Sequence, residues 1–478
     1  MTVTDEPTPA FDKEALRALY REERDKRLRA DGIAQYRRLG GERAEDPYLP
    51  VVPREPKRDH AAFTFIGAGF AGLVTGARLH ERGISGVRLI DKAGDVGGTW
   101  YWNRYPGAQC DTASFVYLPL LEETGHMPTE KYAHAPEILE HCQRIAKQYD
   151  LYDQALFHTE VTDLRWDEER RCWRVRTNRG DDFTTQFIGM GTGPLHVAKL
   201  PGVPGIEDFR GHSFHTSRWD YAYTGGDPAG SPMERLAGKR VAIIGTGATA
   251  IQCIPHLARD AGELLVFQRT PSAVDVRNNV PTDPDWFATI ATPGWQQRWL
   301  ESFTANTMGA MAMAEAEDLV MDGWTDIARR VKTKLFEATS RGGSFDVSTL
   351  MEAFDEADFE KMEEIRARIV GAGEPEPSPG MSMPSSRTPR PRPRSSRGTA
   401  SSASGPASTT STSRPTTGPT CAWSTPTARA SSGSPSAASS LSARSTRWTA
   451  SSTPPASRSA PRTPHGRATS RSGGAAAR

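Results

Sequence analysis

The stretch FTFIGAGFAGLVTGARLHERGISGVRLID, Phe63 to Asp91, decides the fold. FTFI is a short apolar run ending in glycine, LVTGARLHERG has helical spacing, and VRLID is a second apolar run. That order predicts a strand, a glycine turn, a helix and a second strand, the βαβ unit of α/β proteins. Gly67, Gly69 and Gly72 make a G-x-G-x-x-G at the turn, where missing side chains let backbone amides at a helix N-terminus approach a pyrophosphate. Nineteen residues past Gly72, Asp91 ends the next strand, placed to accept hydrogen bonds from a ribose diol. The plainer alternative, a glycine turn without a ligand, does not account for the acid.

The same grammar recurs as RVAIIGTG, ATAIQCIPHLARDAG and LLVFQRT. Here the turn holds Gly245, Gly247 and Ala250, and nineteen residues past Ala250 stand Arg269 and Thr270. A guanidinium fork and a hydroxyl suit a ribose 2′-phosphate, which a carboxylate would repel, so the second unit is expected to take NADPH. A surface arginine after a Rossmann strand is the bland alternative. Two dinucleotide sites in one chain imply a redox relay, with a resident flavin, FAD, receiving hydride from NADPH.

Between the units, CWRVRTN and FTTQFIGMGTG read as strands, and 285–370 reads as mostly helical. The expected fold is α/β, with two Rossmann-like dinucleotide-binding domains and a helical insert. The expected divisions are a helical extension over 1–58, the first part of an FAD domain over 59–200, and an NADP domain over 201–375 containing the insert at about 285–370. A low-complexity tail, 376–478, is expected to be disordered or aberrant. Residues 11–30 read as a surface helix with no assigned function. Trp295, Trp299 and Trp324 in the insert are read as core packing rather than pocket lining.

The 478 residues carry a net charge of +1 that hides an acidic body and a basic tail, since Met381 to Arg478 holds fourteen arginines and no acid. Five cysteines, at 110, 142, 172, 253 and 421, form no C-x-x-C pair, which suits reduced thiols and no metal site. With no run of 18 apolar residues and a polar start, the expectation is a soluble cytoplasmic protein without membrane or nucleic-acid partners. An Arg/Ser-rich nucleic-acid arm is a weaker reading of the tail, because it holds no Lys, Phe or Tyr.

Two longer motifs carry a family resemblance. FRGHSFHTSRWD matches F-x-G-x-x-x-H-x-x-x-W-[PD] at Phe209, Gly211, His215, Trp219 and Asp220. GGTWYWNRYPGAQCD matches [AG]-G-x-W-x-x-x-x-[FY]-P-[GM]-x-x-x-D at Gly97, Gly98, Trp100, Tyr105, Pro106, Gly107 and Asp111. From about residue 11 to 370 the chain resembles class B flavin monooxygenases, more narrowly Baeyer-Villiger monooxygenases. The resemblance implies that NADPH reduces FAD, that the reduced flavin activates O2, and that one oxygen atom enters beside a ketone carbonyl to give an ester or lactone. It further implies that Gly98, Thr99, Trp100, Asp111, Tyr117 and Val161 contact FAD, with Asp111 also orienting a catalytic cation. His215, by the same resemblance, couples the interdomain linker to the cofactors, direct proton transfer being the lesser alternative. An N- or S-oxygenating flavin monooxygenase is the second choice, and an NADP-binding pseudoenzyme the third.

The family completes its FAD domain after the NADP domain, through a C-K-R-P segment whose Arg is that cation, then N-R-P-N-V, then a strand ending A-T-G-F. None of these occurs here. Codons can be chosen for family-like versions of all three that, read one nucleotide out of frame, give the tail: FCKRPCFHDEYL so shifted becomes SASGPASTTSTS (Ser402 to Ser413). By the same shift and choice of codons NRPNVRLVDT becomes TGPTCAWSTP (Thr417 to Pro426), and LIYATGFEV becomes SSTPPASRS (Ser451 to Ser459). Three matches in family order and one frame place a frameshift between about Val370 and Arg387.

Overall fold

The computed structural model describes residues 13–270, 272–307, 317–340, 342, 344, 346–371 and 421–423. Helix α1 (Lys13–Arg27) and the short strand β1 (Tyr36–Arg38) lead into the first unit, β2 (His60–Ile66), α2 (Phe70–Glu81) and β3 (Val87–Ile90). Four helices follow, α3 (Thr99–Trp102), α4 (Ser114–Tyr117), α5 (Leu121–Thr124) and α6 (Ala135–Gln148). Then come β4 (Val161–Asp167), β5 (Cys172–Thr177), β6 (Asp182–Met190), β7 (Lys199–Pro201) and α7 (Tyr221–Thr224). The second unit is β8 (Arg240–Ile244), α8 (Ala248–Asp260) and β9 (Glu263–Phe267). The insert is helical: α9 (Pro284–Ile290), α10 (Trp295–Thr307), α11 (Gly323–Ser340) and α12 (Val347–Gly371).

The first unit forms a five-stranded sheet in the order β3-β2-β6-β5-β4. β2 runs parallel to both β3 and β6, with Ile66 opposite Ile90 on one side and Met190 on the other. β6 serves two pairings, antiparallel to β5 through Asp182 to Thr185 and parallel to β2 through Thr184 to Met190. All four residues of β3 are buried, including Arg88 at 1% exposure. Burying that cation requires a partner: Arg88 forks onto both carboxylate oxygens of Asp59 at 2.8 Å, and its guanidinium lies 4.5 Å from the Phe183 ring centre.

β8 and β9 are parallel, and β1 pairs antiparallel with β7. Of the tail, the described residues are Cys421–Trp423, a strand β10 that pairs parallel with β9. Backbone hydrogen bonding to the edge of a sheet needs no side-chain complementarity, which is how a segment of this composition can join it. The rest of 376–478 lies outside the described residues.

One apolar cluster joins the first unit, the second unit and the insert, through Trp100, Phe115, Trp219, Cys253, Leu264, Trp295 and Trp299. Full burial of each aromatic contributes about 1.5–3 kcal/mol, so the two nucleotide units are held against each other rather than merely tethered. Trp295 and Trp299 are core, packed on Phe115, whereas Trp324, also read as core, stands 46% exposed. It lies at the start of α11, ahead of the packed residues Val331 and Leu335. Cys110, Cys142, Cys172 and Cys253 are buried free thiols, and burial pushes Cys110 and Cys253 up to about 12, which leaves them unreactive at neutral pH. Among the described residues no helix is long and apolar enough to cross a membrane.

Candidate dinucleotide sites

The first glycine turn is walled by backbone. Gly67 donates its amide to the Ile90 carbonyl at 2.8 Å and stands at φ +111°. A Cβ on Gly67 would lie 2.3 Å from the Gly191 carbonyl oxygen, and one on Gly72 would lie 2.2 Å from the Gly67 oxygen. Helix α2 starts directly behind the turn with Gly69 as its N-cap, so its first amides are free for an anion. Asp91 closes the lip: one carboxylate oxygen accepts from the Ala68 amide at 2.7 Å and the other from the Ala93 amide at 2.9 Å. Burial outweighs these bonds and raises its carboxyl above the usual range.

The G-G-T-W loop lies backbone to backbone on this turn. Gly97 donates to the Ala68 carbonyl at 2.9 Å, and a Cβ on Gly98 would lie 2.8 Å from Gly69 Cα. Thr99 and Trp100 open α3, and Trp100 Nε1 donates to the Tyr117 hydroxyl at 3.0 Å. The Tyr117 ring in turn meets Phe70 edge-on at 5.3 Å, at the first position of α2. The Thr159 amide donates to the Asp91 carbonyl at 2.9 Å, bringing the start of β4, and with it Val161, beside the same strand end. The structure thus gathers Gly67, Gly69, Gly72, Asp91, Gly98, Thr99, Trp100 and Tyr117 around one turn. Bare backbone, a carboxylate and an indole–phenol pair fit the pyrophosphate, ribose and ring system of FAD. Asp111 is 53% exposed, pairs with Arg277 at 3.2 Å, and lies near enough to Tyr117 to act on it electrostatically.

In the second turn the Gly245 amide donates to the Phe267 carbonyl at 2.8 Å, and Gly247 is the N-cap of α8. Ala250 takes the place of the third glycine and is buried. The hydroxyl of Thr246, between the two glycines, donates to the Thr270 carbonyl at 3.0 Å, tying the turn to the end of β9 where Arg269 stands. Arg269 is half-buried, burial lowers its pKa, and its Nε is buried with no hydrogen-bond partner. A half-buried guanidinium whose Nε has no hydrogen-bond partner, beside a glycine turn, fits an anionic group on the nucleotide ribose.

The fingerprint segment lies between the two units. Trp219 is buried and donates from Nε1 to the Thr224 hydroxyl at 3.2 Å, and Asp220 caps α7 by accepting from the Tyr223 amide at 2.9 Å. Gly211 packs under the Phe209 ring, which is itself 61% exposed. His215 Nδ1 accepts from the Ser217 amide at 3.1 Å and is 2.8 Å from the Ser217 hydroxyl. Burial and the nearby Arg218 push His215 down to about 4, so it is neutral at pH 7.

Sequence reasoning assigns no role to the N-terminal extension, yet it is tied into both units. Asp46 accepts from the Tyr101 hydroxyl at 2.5 Å and lies 2.9 Å from His158 Nε2. The Tyr48 hydroxyl donates to the Trp102 carbonyl at 3.3 Å and accepts from the Trp219 amide at 3.2 Å, and its ring carries Arg104 at 4.3 Å. Gln35 faces Arg269. No local spacing signals these contacts, since the partners lie far apart in the chain.

His141, like His215, is pushed down to about 4, with Nε2 donating to the Pro119 carbonyl at 2.6 Å. Both are neutral when folded and take a proton near 6.5 when unfolded. The unfolded chain therefore binds more protons between those values, and stability should fall as pH drops from about 6.5 to about 4, by up to about 3 kcal/mol per histidine. Thermal midpoints measured across that window check this, and a His215→Asn, His141→Asn variant should show a flatter profile.

Fold and turns together define an α/β protein with two Rossmann-like dinucleotide units. Residues 66–127 match the model of an NAD(P)-binding Rossmann-like domain. The chain is 55% identical over 362 residues to neopentalenolactone D synthase of Streptomyces avermitilis, covering 75% of this chain and 60% of that protein. It is 48% identical over 361 residues to a Baeyer-Villiger monooxygenase of Streptomyces coelicolor, covering 74% of this chain and 58% of that protein. The polycyclic ketone monooxygenase of the fungus Thermothelomyces thermophila superposes with a TM-score of 0.66 at 39% identity, over 75% of this chain and 61% of that one. Three quarters of the chain is therefore homologous to Baeyer-Villiger monooxygenases, as its two motifs implied. The chain spans about three fifths of the length of these curated relatives.

Proposed function

We propose that the gene encodes an FAD- and NADPH-dependent Baeyer-Villiger monooxygenase, turning a ketone, O2, NADPH and a proton into an ester or lactone, NADP+ and water. The observation that carries this reading is the pairing of unlike lips: a carboxylate, Asp91, on the first turn and a guanidinium, Arg269, on the second, with the two units sharing one core. FAD, when bound, supplies the oxygen-activating redox chemistry. The chain's own residues do the rest. Gly67, Gly69 and Gly72 admit the pyrophosphate, Asp91 takes a ribose diol, and Trp100 and Tyr117 brace the ring system. Arg269 and Thr270 select the phosphorylated nucleotide. Val161 sits beside the Asp91 strand end, Asp111 orients a cation, and neutral His215 holds the linker between the units rather than moving a proton. The substrate is a small-molecule ketone.

We further infer that the chain as written is impaired, because its tail is read out of frame and the segment that supplies the family's arginine is absent. One observation supports this: the relatives align over only about 362 of the 478 residues. The chain as written then remains an NADP-binding protein with little oxygenase activity. Asp111 in this chain pairs with Arg277 instead. The nucleotide sequence across codons 365–390 decides the frame directly; an unbroken frame with no compensating shift within the family's length would remove this inference.

Arg269→Ala tests the second turn. It should weaken NADPH binding by about 1.5–3 kcal/mol, the range for a charge-assisted hydrogen bond, and leave NADH binding nearly unchanged. Equal losses for both nucleotides would show that Arg269 does not read the 2′-phosphate.

A further inference from the structure

The guanidinium on the second turn is held from outside its own unit. Arg269 Nη1 donates to Gln35 Oε1 at 3.5 Å, across 234 positions of chain. Gln35 is 7% exposed, and its Nε2 donates to the Gly32 carbonyl at 2.5 Å, which fixes the amide with its oxygen toward Arg269. The segment around it is anchored by backbone. β1 follows Gln35 immediately and pairs with β7, Tyr36 opposite Pro201, while the Gly202 amide donates to the Gln35 carbonyl at 2.9 Å and the Leu39 amide to the Ala198 carbonyl at 3.1 Å. A Cβ on Gly202 would lie 2.4 Å from the Gln35 oxygen, so the close approach depends on that glycine. Tyr36 and Arg27, from the same stretch, lie near enough to act electrostatically on Arg269.

We propose that Gln35 is a positioning residue for Arg269, and that the N-terminal segment 32–39 sets the nucleotide preference of the second turn. The proposal rests on the reading of that turn as the NADP site. A neutral acceptor orients a fork of donors without cancelling its charge, and leaves the remaining N–H groups for the 2′-phosphate. A carboxylate at the same place would neutralise the guanidinium and repel the phosphate.

The proposal is tested by titrating the full chain, with FAD in excess to fill the first turn, using 2′,5′-ADP and 5′-AMP as probes. Gln35→Glu should weaken 2′,5′-ADP about tenfold or more and leave 5′-AMP unchanged; Gln35→Met, which keeps the volume but removes the acceptor, should cost about threefold. In an Arg269→Ala background Gln35→Met should not change the ratio further, because the two residues act as one unit. A purely structural role would weaken both probes together or lower the thermal midpoint without altering their ratio, and that result overturns the proposal. If Arg269→Ala lowers the ratio while both Gln35 variants leave it at the wild-type value, only the role of Gln35 fails. If Arg269→Ala leaves the ratio unchanged, the NADP reading fails and this proposal with it. Gln35→Met keeps the test decisive should Gln35→Glu not fold.

Discussion

Restoring the frame between Val370 and Arg387 is expected to raise NADPH-dependent ketone oxygenation by more than about a thousandfold over the chain as written. Two deficits act together in the written chain. Loss of one preorganised electrostatic donor typically costs about 100- to 1000-fold in rate, and the proposed frame would restore such a donor in a Lys-Arg-Pro segment. The proposed frame would also supply an apolar run such as LIYATGFEV, whereas Ser451 to Ser459 holds no apolar residue larger than proline and alanine with which to complete a core. The first unit has a face that such a run would suit: Phe187 and Met190 of β6 are 61% and 67% exposed, and Leu195 just beyond is 69% exposed. Purifying both versions, recording flavin content and assaying a panel of cyclic and linear ketones separates the deficits. Comparable flavin content and comparable rates would mean that the tail as written supplies chemistry with no counterpart in the described residues.

The second large effect is expected at Gly72. An added methyl would meet the Gly67 carbonyl at 2.2 Å, a backbone atom held in turn against β3 and against Gly191, so nothing nearby can yield cheaply. Overpacking of this kind costs about 1–3 kcal/mol where a side chain can shift and more where backbone must. Gly72→Ala should therefore lower the thermal midpoint and abolish flavin retention together. Gly247 differs, since a Cβ there meets nothing within 4 Å. Gly247→Ala should leave the midpoint close to wild type and weaken nucleotide binding at the second turn by standing between the α8 amides and the phosphates. If the two substitutions behave alike in both measurements, the turns do not play separate roles.

What the sequence makes legible is what depends on neighbours in the chain. The two glycine turns, their flanking strands and helices, and the residues at the strand ends, Asp91 and Arg269, follow from periodicity and from the few residue types that tolerate such turns. The buried Arg88 is not legible, because VRLI reads as an apolar strand and the residue that compensates the charge, Asp59, stands 29 positions earlier. Trp324 departs from its reading as core for a related reason: residue type favours burial, but its place at the start of α11 decides exposure. The clamp made by Asp46, Tyr48 and Gln35 carries no local pattern at all, since its partners Tyr101, Trp219 and Arg269 lie 55 to 234 positions away. For His215, geometry rather than residue type narrows the role. Its Nδ1 is taken by Ser217, and burial keeps the ring neutral at pH 7.

The most direct measurement of the central claim is isotopic. The frame-restored protein, loaded with FAD, should be supplied with NADPH, a cyclic ketone and 18O2, and the product examined by mass spectrometry. The account predicts a lactone carrying one 18O atom, located in the ring beside the carbonyl, with one NADPH consumed per lactone formed. Full flavin occupancy with NADPH oxidation but no labelled lactone, or label transferred instead to nitrogen or sulfur of an amine or sulfide offered in competition, would contradict it.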